Sequence, residues 1–105
     1  MAALAEFELL VLLAVLHCGE NAYSVAVHEE LERRSRRHAS MGAVYITLDR
    51  LETKGFLTSR LGEPTRERGG RAKRYYAATR GGLSAVKQEC RVIRRMWSGL
   101  GLLAD

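Results

Sequence analysis

Apolar and polar positions divide the chain into four helical stretches and one pair of short strands. The first, "ALAEFELLVLLAVLHC", predicts a helix from Ala3 to Cys18 that is apolar nearly all round. Such a helix is buried on more than one side; in so small a chain, that implies a partner chain on one of them. Gly19 and Asn21 stop it. Tyr23, Val27 and Leu31 recur at i, i+4 and i+8 and make the stripe of a second helix, Tyr23 to Arg34. The run "ERRSRRHAS" loses that period and reads as helix end plus loop. "MGAVYITLDRLETK" predicts a third helix, Met41 to Lys54, with Val44, Leu48 and Leu51 inward, Ser40 as N-cap and Gly55 as the closing glycine. Phe56 to Leu61 and Arg71 to Ala78 read as strands around a turn at Pro64 to Gly70. Thr79 caps a last helix, Gly81 to Leu100.

Three helices followed by a hairpin give a mostly α fold, a winged helix-turn-helix with one further helix. We expect residues 1–79 to form the winged helix and residues 80–105 a dimerisation helix, together one compact unit. In this arrangement the third helix enters the DNA major groove, and the hairpin is a wing along the neighbouring backbone.

Charge sharpens that picture. The chain of 105 residues has a formal net charge of +5. From Arg60 to Arg80 seven arginines and lysines face two glutamates, so the excess equals that of the segment. A localised basic patch fits a polyanion partner. Phosphate binding wants cations on a projecting loop and glycines that bring backbone N–H groups close. Arg68, Gly69, Gly70, Arg71, Lys73 and Arg74 supply both. On the third helix, Ile46 and Arg50 point away from the core. Arg50 suits a guanine edge and Ile46 a thymine methyl. Ser40 can cap the helix and touch a phosphate. Tyr45 and Thr47 lie on the flanks, where phosphate contact through their hydroxyls and half-buried packing both remain open.

Other chemistry has little support. The two cysteines, Cys18 and Cys90, lie far apart and outside any CxxC spacing, which suits reduced thiols in a cytoplasmic protein. With His17, His28 and His38 they match no common zinc pattern. No nucleophile elbow surrounds a serine, and "GEPTRERGG" lacks the Gly-Lys-Ser/Thr of a nucleotide loop. We expect no enzyme, metal or cofactor. The apolar run Leu9 to Leu16 has eight residues, against about 20 for a membrane span.

Leu83, Val86, Cys90, Ile93, Trp97 and Leu100 are spaced 3, 4, 3, 4, 3, the repeat of a helix that packs along another helix. The stripe predicts a homodimer, with this helix packed on the partner, against its first helix.

"GAVYITLDRLETKGFL", then "GGRAKRYYAAT" followed by "RGG", resembles the PadR-like transcriptional regulators from about Leu9 to Leu83. The resemblance implies a winged-helix domain that binds double-stranded DNA, a homodimer built through the carboxy-terminal helix, and repression of transcription. Tyr45, Arg50, Gly70, Arg71, Lys73 and Arg74 fall on the family motif; Tyr76 and Thr79 match its strand-to-helix junction. Ser24 and Ala78 depart from it, standing where glycine and a larger aliphatic residue are usual. Some members respond to small aromatic ligands, and Trp97 near the dimer seam is the residue on which one would stack. The rival expectation is a winged-helix interaction or scaffold module without a specific DNA site.

Overall fold

A computed structural model describes residues 4–64 and 72–102. Its elements are α1 (Glu6–Cys18), a 3-10 turn (Gly19–Asn21), α2 (Ser24–Ser35), α3 (Met41–Thr53), β1 (Leu57–Pro64), β2 (Ala72–Ala78) and α4 (Arg80–Trp97). The two strands form one antiparallel hairpin. This is the fold class the sequence predicts, a winged helix followed by a carboxy-terminal helix. The predicted turn, with Arg68, Gly69, Gly70 and Arg71, lies outside the described residues.

Helix α1 is the centre of the fold. It packs against α2, α3, β2 and α4. Leu9, Val11, Leu12, Ala14 and Val15 are buried in a single chain. Much of its apolar surface is thus covered within its own chain, while Phe7, Leu10 and Leu13 are only half-buried. Among its large apolar residues only Leu16 is exposed. Its start lies at Glu6, later than expected, because the Glu8 carboxylate turns back to accept the Ala5 N–H at 2.8 Å. Its end is Gly19, at φ 60°, where a side chain would be strained.

Val27 and Leu31 of α2 meet Val44, Leu48 and Leu51 of α3 in the same core. Burying each of these side chains is worth about 1.5–3 kcal/mol. Tyr23 lies just before α2 and pairs with Tyr75 of β2 in an isolated bridge. Ser40 caps α3 as expected, accepting the Ala43 N–H at 3.0 Å.

One polar contact crosses this core. Glu8 is only 3% exposed, and its two oxygens accept from Lys54 Nζ at 2.9 and 2.8 Å. Burial would push the Glu8 carboxyl up. The Lys54 and Ala5 hydrogen bonds outweigh it and hold the group below the usual carboxylate range. The pair ties the start of α1 to the end of α3.

In the hairpin, Leu57 pairs with Ala78 and the register runs regularly to Leu61 opposite Arg74. It then shifts, and Pro64 pairs with Ala72. β1 therefore runs past the predicted end at Leu61, with an irregularity at Gly62–Glu63. Proline, which has no N–H to donate, is tolerated because a two-stranded sheet has only edges.

A tight junction joins hairpin and α4. Thr79 Oγ1 donates to the Gly55 carbonyl at 2.7 Å and accepts the Gly82 N–H at 3.0 Å. The Thr79 N–H donates to the Phe56 carbonyl at 3.0 Å. A Cβ on Gly82 would overlap that same carbonyl oxygen. Gly82→Ala should therefore destabilise the fold by about 2 kcal/mol. Overlap with fixed backbone costs about 3, and better helix propensity returns about 1. The check is the urea midpoint; an unchanged value would mean α4 is not seated on Phe56.

α4 leaves the domain as it proceeds. Gly82 and Val86 are buried, whereas every residue from Cys90 to Leu102 is exposed. The longest dimension is 53 Å against 29 and 21 Å. The helix stops at Trp97, short of the expected Leu100. Ser98 is extended, and Gly99 follows with φ 82°.

Candidate nucleic-acid interface

The outer face of α3 is open. Tyr45 and Ile46 are 55% and 61% exposed, and Asp49 and Arg50 are exposed beside them. Arg50 shares a flank with Lys54, one turn on, and its charge reaches Glu8. Of the two readings open for Thr47, the structure gives packing. The residue is 4% exposed, so its hydroxyl is not available to a phosphate. With Val44, Leu48 and Leu51 it completes an i, i+3, i+4, i+7 arc, a spacing that marks the buried face.

The turn before α3 is clamped by a cluster the sequence reading did not find. His28 Nε2 lies 2.6 Å from the Ala39 carbonyl oxygen, and Glu32 Oε2 accepts the Ala39 N–H at 3.0 Å. The same oxygen lies 2.8 Å from His38 Nδ1. Both polar groups of Ala39, one residue before the α3 cap, are thereby occupied. The Ala39 N–H, and after it the two histidines, hold the Glu32 carboxyl below its usual range against desolvation. The arginine run nearby is partly spent on surface pairs. Arg33 and Arg34 bind Glu30, and Arg37 binds Glu6.

The described part of the wing is stiffened by aromatic and cationic side chains. Tyr23 meets Tyr75 edge-on, centroids 5.8 Å apart at 69°. Lys73 Nζ sits 4.1 Å from the Tyr23 ring centre, and the Arg60 guanidinium lies 5.0 Å from that of Tyr75. On the other strand face Tyr76 is buried and its N–H donates to the Ala22 carbonyl at 2.8 Å. Burial, and then the Glu52 charge, push its phenol up. Arg74, on that same face, is exposed and donates to Ser59. Lys73 and Arg74 thus have partners inside the chain.

Between α3 and the hairpin runs a cleft of about 610 Å³, with Tyr45, Ile46 and Asp49 on one wall and Lys73 and Arg74 on the other. An exposed helix face beside a basic hairpin is the geometry that enters a major groove while gripping the adjacent backbone.

Cationic charge also gathers on α4. Beyond Arg80, which belongs to the segment already counted, Lys87, Arg91, Arg94 and Arg95 stand there against Glu89 alone. The balance outside the wing is one of sum and not of place, because many acids sit on α1 and α2. Among the described residues, no group of His, Cys, Asp and Glu side chains could hold a metal ion, and no helix is long and apolar enough to cross a membrane. Burial, with Glu30 and Glu29, raises the pKa of the Cys18 thiol, which keeps it protonated.

The sequence model of the transcriptional regulator PadR-like family matches residues 12–88. This chain belongs to the PadR-like family. It is therefore a DNA-binding transcriptional regulator and not an enzyme. Similar solved structures include a transcriptional regulator from Clostridium thermocellum, at 19% identity and TM-score 0.71, covering 93% of this chain and 92% of that one. A PadR family regulator from Eggerthella lenta is 25% identical with TM-score 0.70, covering 88% and 78%. RosR of H. salinarum is 23% identical with TM-score 0.69, covering 91% and 79%. No curated protein matches the sequence significantly.

Proposed function

We propose that this PadR-family regulator acts as a cytoplasmic homodimer that occludes a pseudo-palindromic promoter site and so represses transcription. The observation that carries the reading is the far half of α4. Val92, Ile93, Met96 and Trp97 form a broad apolar face there, with Met96 75% and Trp97 48% exposed. A single chain leaves this face in water, and a patch of that kind marks an interface. A second copy, related by two-fold symmetry, covers it without any further partner. Val92 and Met96 widen the seam beyond the predicted stripe. Val86 leaves it, being buried against its own domain. Leu100 stands beyond the helix end, so the helical part of the seam stops at Trp97. Leu83 and Cys90 are exposed and remain in it.

Two copies would carry two α3 helices to two half-sites. Ser40, Tyr45, Ile46 and Arg50 meet DNA from each helix, and the wing cations meet phosphates. Arg50→Ala should cost about 1–3 kcal/mol on the preferred duplex and relax choice at one or two positions. Equal losses on preferred and random duplex would reduce Arg50 to a phosphate clamp. A winged-helix scaffold without a site would show no preference to lose.

The effector, if the promoter is released by one, is a flat aromatic molecule stacked on Trp97. Trp97 is the chain's only tryptophan, so its fluorescence reports the site alone. Planar aromatic drugs should quench it on titration; a constant signal across the series would leave the indole as a packing residue.

A further inference from the structure

A line of three side chains joins α3 to the wing, and its two ends, Glu52 and Arg74, line the cleft between them. Ser59 Oγ donates to Glu52 Oε2 at 2.7 Å, and Arg74 Nη1 donates to Ser59 Oγ at 3.0 Å. Glu52 is in the last turn of α3, Ser59 in β1 and Arg74 in β2. A hydroxyl has one proton to give and lone pairs to receive with, and Ser59 uses both along one path. Each end of that path carries a charge, which strengthens the bonds relative to neutral ones.

The position of this line in the hairpin matters. Arg74 stands opposite Leu61, the last regular pair before the register shifts. Past that point the register shifts, and the pairing resumes at Pro64 opposite Ala72. A two-stranded hairpin is marginal by itself, so its direction depends on ties to the rest of the fold. Below the line, nearer the domain, Tyr76 anchors β2 through Ala22. Among the described residues, the Glu52–Ser59–Arg74 line is the side-chain tie from the hairpin to α3.

We propose that Ser59 is a positioning residue for DNA recognition. It sets the angle of the wing to the recognition helix and holds Arg74 at the cleft wall, so that groove and backbone contacts form in one register. Arg74 then acts first as a strut, where the sequence reading gave it as a phosphate contact. The proposal rests on the DNA-binding reading above.

The test compares wild type, Ser59→Ala and Ser59→Thr. ¹⁵N relaxation of the Arg74 side chain in the free protein should show it restrained in wild type and Ser59→Thr, and mobile in Ser59→Ala. Competition between the duplex that wild type selects from a random library and a random duplex, at one fixed salt, should show a preference lower by roughly five- to tenfold in Ser59→Ala. The salt slope should stay the same, because no phosphate contact is removed. Ser59→Thr should keep the wild-type preference. An Arg74 equally restrained in Ser59→Ala overturns the line itself. A mobile Arg74 with undiminished preference overturns its role in recognition. Equal losses on both duplexes, or failure of threonine to rescue, do the same. If wild type selects no duplex, the DNA reading fails and this proposal falls with it, an outcome distinct from a selective wild type matched by Ser59→Ala.

Discussion

Ile93→Glu should sediment as a monomer at concentrations where the wild type is a dimer. Ile93 is exposed on the single chain, so the substitution should leave the urea midpoint of the isolated fold nearly unchanged, within about 0.5 kcal/mol. In the proposed dimer the same carboxylate enters an apolar seam without a partner, which costs several kcal/mol. Two-fold symmetry places one such charge on each copy. Loss of the second half-site contact then removes the gain from linked binding, a factor of about 10² or more in affinity for the full site. A dimer that persists with normal DNA binding would mean that α4 is not the seam.

Lys54→Ala should lower stability by about 3 kcal/mol near neutral pH. Removing one partner of a buried pair leaves the other charged and unpaired, which costs about 3–5 kcal/mol. The lower end applies because the Lys54 side chain is 27% exposed. The sign of the pH dependence follows from Glu8. Its carboxyl is held low in the folded wild type, so the stability it contributes is complete above the ordinary carboxylate range. That contribution is lost as pH falls through the depressed value. In Lys54→Ala burial acts on Glu8 with less opposition, and the group gains a proton more readily. The gap between variant and wild type should therefore close as the pH is lowered from about 7 to about 3. Urea midpoints at the two pH values measure it; a gap that stays constant would assign the loss to packing by the lysine stem.

The order of elements was legible because each boundary carries a local signal. Ser40 and Thr79 cap their helices, and Gly55 closes α3. What failed depends on residues far apart in the chain. Glu8 and Lys54 are 46 residues apart, and nothing near either one announces the other. The His28–Glu32–Ala39 clamp needs the helix end to fold back on itself. For α1, periodicity tells how many sides are apolar and not what covers each: its own chain buries Leu9, Val11, Leu12, Ala14 and Val15. Thr47 could have been decided earlier, since its i+3 spacing from Val44 already placed it in the core arc. At the candidate interface, residue types pointed to DNA, but the inward commitment of Arg74 through Ser59 becomes visible only once the strands pair.

Equilibrium competition decides whether the open face of α3 and the wing together read a particular sequence. The purified protein would first select its preferred duplex from a random library. That duplex would then compete with random duplex of equal length at one fixed salt concentration. A preference of roughly 10³ or more for the selected duplex is the expected result. Equal affinity for the two, with no motif enriched, would contradict it.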